Sequence, residues 1–308
     1  MDAIVFLRHG ILSSAERMAD LEKAIEEASV CGRRIEVNNQ SYLWRNSVLL
    51  NGIELATQVL ERISSQDCDH IALVGHSQGG LVCRVAAAAL SSREELLQGI
   101  NRAGYIDGQY RREAIDKLTT LGSPEKVLQK LRGVITLATP NSGAMTFGQL
   151  AFGGKVTLGI AQLIGAAGIV VNLADLTTDR LFRILQHVKV RKIRYLSISG
   201  SAVNRFSVFS HSDLSEIPLA SRLGVHLELP NDWIVEDESA NIKNAVLPPE
   251  IADVQNQYEH IRWYPDCSQV THPGVHANSD VRQIVIRRIQ QWCDEADDAT
   301  VSAPVVPR

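Results

Sequence analysis

Short apolar runs alternate along the chain with longer segments of helical periodicity. The runs that have the length of β-strands cover residues 4–7, 34–37, 71–74, 134–138 and 193–198. Strands that alternate with helices pair in parallel, because each helix carries the chain back across the sheet before the next strand begins. The pattern therefore predicts an α/β protein with a mostly parallel central sheet flanked by helices.

Two segments have the spacing of a helix with one buried face. In the first, which follows the opening strand, Ser13 and Glu16 have the separation of a capping box. Its apolar face contains Met18, Leu21, Ile25 and Ala28. The second segment lies near the end of the chain, with Val281, Ile284, Val285, Ile289 and Trp292 on one face. The period is lost after Asp294, so we expect a frayed terminus there.

The chain has 308 residues, of which 45% are hydrophobic, enough for one large core. We expect a single domain over 1–296 with an insertion at about 141–190, and a flexible tail over 297–308. Residues 156–174 are uncharged and include three glycines. We interpret them as a mobile, lipid-facing cap, with a buried helical pair as the alternative. A membrane span is disfavoured, because glycine and polar residues dilute the hydrophobicity.

Charge and cysteine content exclude several classes of function. The net charge is −4 and the basic residues are dispersed, which argues against binding to nucleic acid. The five cysteines form no C-x-x-C pair, so neither a disulfide framework nor a zinc site is expected. The opening apolar run is too short for a signal peptide. We therefore expect a cytoplasmic protein.

The segment Gly75-His76-Ser77-Gln78-Gly79 carries the clearest candidate chemistry. It is a G-x-S-x-G motif between a predicted strand and a helix-compatible stretch. In that context the glycines allow a tight turn that projects the serine hydroxyl from the top of the sheet, which is called a nucleophile elbow. Ser77 is therefore the predicted nucleophile.

A serine nucleophile also needs donors for the oxyanion that develops in the reaction. The first strand ends in the turn Arg8-His9-Gly10-Ile11, which can swing an amide towards Ser77. We assign the oxyanion hole to the backbone amides of Ile11 and Gln78. His9 precedes the serine, against the chain order of this chemistry, so we expect it to shape the turn, and we expect His76 to pack beside the elbow.

The general base and the acid that orients it should follow Ser77 in the order acid, then histidine. Two histidines precede the last helix, and we prefer His272 to His276 because His272 leaves a loop long enough to reach the top of the sheet. Five aspartates satisfy the order, and the residues alone do not choose among them. They are Asp213, Asp232, Asp237, Asp253 and Asp266.

Four motifs in this order resemble the α/β-hydrolase lipases and serine esterases, especially bacterial triacylglycerol lipases and inositol-deacylase-like hydrolases. The motifs are His9-Gly10, the Ser77 elbow, residues 138–143 and Asn231-Asp232-x-x-Val235. The resemblance implies an α/β-hydrolase fold that lacks the usual first strands and carries a helical cap or lid. It also implies that Asp232 is the catalytic acid. Trp233 departs from the pattern, since a glycine is common after the acid.

These observations predict a serine hydrolase that cleaves carboxylic esters, with no metal or organic cofactor. Its partner would be a small-molecule or lipid ester with an apolar acyl chain, and the cap would make peripheral membrane contact. A thioesterase, deacylase or transacylase that uses the same triad is one alternative. A catalytically silent hydrolase fold that serves as a binding module is another.

Overall fold

A computed structural model describes most of the chain outside the predicted cap. It covers residues 3–10, 13–28, 34–44, 46–102, 108–143, 181–185, 188, 193–200, 240–245, 257–263 and 274–301. Ile11, the stretch 156–174, Asp232 and His272 lie outside these residues.

In the part of the chain that the structure describes, six parallel strands form one sheet. They are β1 (Ala3–Arg8), β2 (Ile35–Asn39), β3 (His70–His76), β4 (Leu131–Leu137), β5 (Arg194–Gly200) and β6 (Tyr258–Trp263). The strand order is β2-β1-β3-β4-β5-β6, so β3 lies inside the sheet between β1 and β4. The α/β-hydrolase fold predicted from the sequence is confirmed. The sequence did not predict β6, whose residues Tyr-Glu-His-Ile-Arg-Trp lack an apolar run.

Helices cover both faces of the sheet. They are α1 (Ala19–Glu27), α2 (Val48–Ser65), α3 (Gln78–Ser91), α4 (Arg93–Arg102), α5 (Gly108–Thr120), α6 (Glu125–Lys130), α7 (Leu181–Leu185) and α8 (Ser279–Val301). Short 3₁₀ helices cover Ala15–Met18 and Ile242–Ala245. Among the helices of the described ranges, none is long and apolar enough to cross a membrane.

The core has two layers because successive strand residues point to opposite faces of the sheet. Phe6 and Leu73 pack on the α2 and α3 side, whereas Leu7 and Val74 pack on the side of α1 and α8. β1 and β3 are buried along their whole length. Two-sided burial explains why these strands read as continuous apolar runs, and it fixes the end of β3 rigidly.

The start of α1 differs from the predicted capping box. Ser14 is the N-cap of the 3₁₀ helix that precedes α1, and it makes no side-chain capping hydrogen bond. The backbone of Ser14 is extended, with φ −147° and ψ 173°, and the 3₁₀ helix begins at Ala15. The N-cap is therefore one residue later than Ser13, the residue predicted to cap the helix. The predicted buried face is present, because Met18, Leu21 and Ile25 are fully buried.

The end of α8 also differs from the expectation of fraying after Asp294. The helix continues to Val301, past position 297, where a flexible tail was expected to begin. Its later turns are fastened to the sheet: Asp297 Oδ1 lies 3.1 Å from His70 Nε2, and Glu295 pairs with Arg194. Polar contacts supplied by the sheet therefore hold a segment that has no apolar period of its own.

Candidate active site

Ser77 lies between the last residue of β3 and the first residue of α3. Its backbone has φ 54° and ψ −125°, a conformation that costs a residue with a side chain about 1–3 kcal/mol. Two hydrogen bonds hold this turn. The Ser77 N–H donates to Leu137 O at 2.8 Å, and the Gly80 N–H donates to Ser77 O at 3.0 Å. The elbow predicted from the motif is therefore a strained turn held from both sides.

The end of β1 packs directly against the elbow. A Cβ atom added to Gly10 would lie 2.8 Å from the Ser77 Cβ and 3.3 Å from its Oγ, and one added to Gly79 would lie 2.3 Å from Arg8 O. These separations leave no room for a side chain at either glycine. The turn that carries the predicted oxyanion amide of Ile11 thus begins in contact with the serine hydroxyl.

His9 is buried in this turn and is held in one neutral form. The Tyr42 N–H donates to His9 Nε2 at 3.4 Å, so the ring proton is on Nδ1, which donates to Gly10 O at 2.8 Å. Burial lowers the pKa of His9, and the nearby charge of Arg8 lowers it further. The hydrogen bond to Gly10 O raises this pKa but does not offset the effect of burial. Both ring nitrogens are thus engaged in holding the turn.

The pKa of His9 predicts a pH dependence of stability. The folded protein binds fewer protons than the unfolded chain below the ordinary pKa of 6.5, so the free energy of unfolding should fall as the pH falls below that value. Urea unfolding at pH 7.5 and 5.5 measures the loss. We expect it to be smaller in His9→Gln than in the wild type, and equal losses would contradict this account of His9.

The structure brings one of the two candidate bases to the elbow. His276 is buried, with its ring centroid 4.6 Å from that of His76 in an edge-to-face arrangement. The turn around it is anchored because Asn278 caps α8: its Oδ1 accepts from Asp280 N at 2.9 Å and from Val281 N at 3.2 Å. His76 therefore packs beside the elbow, with its ring against His276.

A buried network holds the loop after β4. Arg84, on α3, donates from Nη1 to Asn141 O at 2.6 Å, and burial lowers its pKa. The Asn141 amide donates to Thr136 Oγ1 at 3.1 Å and to Ala240 O at 2.7 Å. Ala240 follows the predicted acid, Asp232, by eight positions. Through Asn141, Ala240 is thus held beside β4.

Sequence reasoning missed the roles of Arg84 and Asn141. The available signal was a charged residue inside the apolar run Leu81–Ala89 of α3, since a buried guanidinium must find hydrogen-bond acceptors. Asn141 was noted only as part of a motif. Its bond to Ala240 spans 99 positions and has no local signal.

The chemistry available at the site is that of a hydroxyl nucleophile. Among the residues that the structure describes, no group of His, Cys, Asp or Glu is arranged to hold a metal ion. Burial raises the pKa of Cys83, on the same helix, to about 12, so that this thiol stays protonated and is no competing nucleophile. Ser77, with its hydroxyl beside Gly10, is the candidate nucleophile.

Comparison with known proteins identifies relatives of this arrangement. The sequence profile of a protein family described as "Putative serine esterase (DUF676)" matches residues 1–206, two thirds of the chain. No curated protein matches the chain by sequence.

Several solved structures are similar in fold. The mature lipase BlEst2 of Bacillus licheniformis is 17% identical, with a TM-score of 0.54 over 94% of this chain and 91% of that one. Lipase 1 of Pelosinus fermentans is 14% identical, with a TM-score of 0.56 over 94% and 98%. EstA of Clostridium botulinum is 14% identical, with a TM-score of 0.54 over 95% and 87%. At these identities the likeness shows the fold.

Proposed function

Because the chain belongs to the DUF676 serine esterase family, and is thus an ester-hydrolysing serine hydrolase, we propose that it acts through an acyl-enzyme on Ser77. The observation that carries this proposal is the backbone of Ser77, strained at φ 54° between β3 and α3 with Gly10 packed against the hydroxyl. Strain of this kind persists where the surrounding structure enforces it, and such residues cluster at active sites.

In the proposed reaction, Ser77 Oγ attacks the ester carbonyl and its proton passes to His272. Asp232 orients the imidazole, and the amides of Ile11 and Gln78 hold the oxyanion. Gln78 is the first residue of α3, where the positive end of the helix dipole favours negative charge. The C–O bond then breaks, the leaving alcohol takes the proton from His272, and water releases the acyl group by the same steps.

We retain His272 as the base and treat His276 as the alternative. The ring of His276 is buried and packs edge-on against His76, and its turn is anchored by the Asn278 cap. This setting suits a structural residue that holds the turn in place. His272 lies four positions earlier, on the part of the chain that leads into the anchored turn. The anchored turn lies beside the elbow, which supports a base supplied by the residues that precede it.

The substrate class is proposed from the cap and the structural neighbours. The uncharged stretch 156–174 and the lipases among the similar folds support an ester with an apolar acyl chain. We propose a cytoplasmic enzyme whose cap makes peripheral contact with membranes. A thioesterase, deacylase or transacylase would use the same residues, since the acyl-enzyme is common to all of them. Turnover of p-nitrophenyl esters of increasing chain length, measured against acyl-thioesters, separates these activities.

A fluorophosphonate probe tests the proposal against a silent binding module. We expect the purified protein to gain one adduct on the peptide that contains Ser77, because only an activated serine reacts quickly with the probe. Ser91→Ala is a matched control. Ser91 is the last residue of α3, at the opposite end from the elbow, and its hydroxyl donates to Ala87 O at 2.7 Å. This variant should be labelled like the wild type. Absence of a Ser77 adduct would favour the binding module.

A further inference from the structure

The loop between β2 and α2 touches both segments that flank the proposed oxyanion hole. The Tyr42 hydroxyl shares its one proton between two acceptors: it donates mainly to His9 O at 2.7 Å, and Gln78 Oε1 is the second, more distant acceptor at 3.4 Å. The amide of Gln78 donates from Nε2 to Trp44 O at 3.1 Å. Leu43, between them, is 70% exposed, so the loop turns its flanking residues inward at this place.

We propose that Tyr42 is a positioning residue for the oxyanion hole, whose hydroxyl ties the end of β1 to the first residue of α3. The inference rests on the proposed function, because it concerns the amides assigned to Ile11 and Gln78. Neither the family match nor the sequence motifs assign a role to this loop.

Tyr42 controls the β1 side through His9. Its ring stacks on the imidazole at 4.5 Å and 21°, and its N–H occupies Nε2. Nδ1 must then carry the proton that it donates to Gly10 O. A trans peptide group is planar, so fixing the Gly10 carbonyl also fixes the amide that follows it, which points the opposite way. Tyr42 thereby restrains the orientation of one oxyanion donor.

Tyr42 restrains the α3 side through Gln78, whose side chain is fully buried between the Tyr42 hydroxyl and Trp44 O. Gln78 supplies the second proposed donor from its backbone, so a fixed side chain keeps that amide aligned. Burial raises the pKa of Tyr42, and the hydroxyl stays protonated and able to donate. Preorganised donors matter because they avoid reorganisation when the oxyanion forms.

Tyr42→Phe tests the proposal, because it removes the hydroxyl and keeps the stacked ring. We expect kcat for a p-nitrophenyl ester to fall roughly 10- to 100-fold, somewhat less than the loss of an oxyanion donor itself, with KM nearly unchanged. The inhibition constant of an alkylboronic acid, whose serine adduct mimics the tetrahedral intermediate, should rise by a similar factor. Tyr110→Phe, the same change on α5, should alter neither quantity.

The outcomes separate this inference from the proposed function. An unchanged kcat in folded Tyr42→Phe, or a lower kcat without weaker boronate binding, would overturn the positioning role while leaving esterase activity established. Should Tyr42→Phe not fold, Gln78→Met removes the other end of the link and keeps the backbone amide. The same parallel losses are then expected, and unchanged kinetics overturn the inference. A wild type without hydrolysis or labelling would overturn both proposals.

Discussion

Ser77→Ala should abolish turnover of a p-nitrophenyl ester, lowering kcat by about 10⁶-fold. The reason is that Ser77 Oγ is the attacking atom of the proposed reaction, so its loss removes the whole covalent route. Steady-state kinetics of the purified variant measure the effect. Residual turnover above about one thousandth of the wild type would mean that another residue attacks the ester.

A second substitution at this position distinguishes loss of chemistry from loss of fold. Ser77→Gly also lacks the hydroxyl, but glycine adopts φ 54° without the cost that a Cβ atom imposes. We expect it to be inactive yet more stable than Ser77→Ala by about 1 kcal/mol, measured by urea unfolding. A glycine variant less stable than the alanine variant would show that the turn is not strained in the way its backbone angles indicate.

His272→Ala should cost as much as loss of the nucleophile, about 10⁶-fold in kcat, because the serine hydroxyl is a weak nucleophile without its base. His276→Ala should retain most of the activity. Since His276 packs against His76, its replacement should instead lower the free energy of unfolding. Kinetics and urea unfolding of both variants give the comparison. Loss of activity in His276→Ala with activity preserved in His272→Ala would show that His276 is the base and His272 is not.

Much of the fold could be predicted because the relevant signals are local. Five of the six strands in the described ranges were predicted, since strands buried on both faces become continuous apolar runs, as in β3. The strand β6, which is the last in the order of the described strands, was not predicted, because its charged and polar residues form no such run. The helix end at Val301 was missed for a related reason: contacts of Glu295 and Asp297 with the sheet stabilise it, and these have no local pattern.

The candidate site divides in the same way. The Ser77 motif, with a strand before it and a helix after it, predicted the elbow, because its glycines permit a tight turn at this place in the chain. Chain order limited the acid to five aspartates and the base to two histidines, and the resemblance to serine hydrolases selected Asp232. The elbow follows from residues close together in the chain, so the sequence was sufficient to predict it, whereas Asp232 and His272 stay predictions.

Tertiary structure alone decided which distant groups meet at the elbow. Gly10 contacts Ser77, Tyr42 bonds to His9 across 33 positions, and Asn141 reaches Ala240 across 99. The physical reason is the strand order: β1 and β4 flank β3, so their carboxyl ends meet at one edge of the sheet. That order depends on the packing of the whole core. No local segment of the sequence encodes it, whereas the serine and its turn are encoded within five residues.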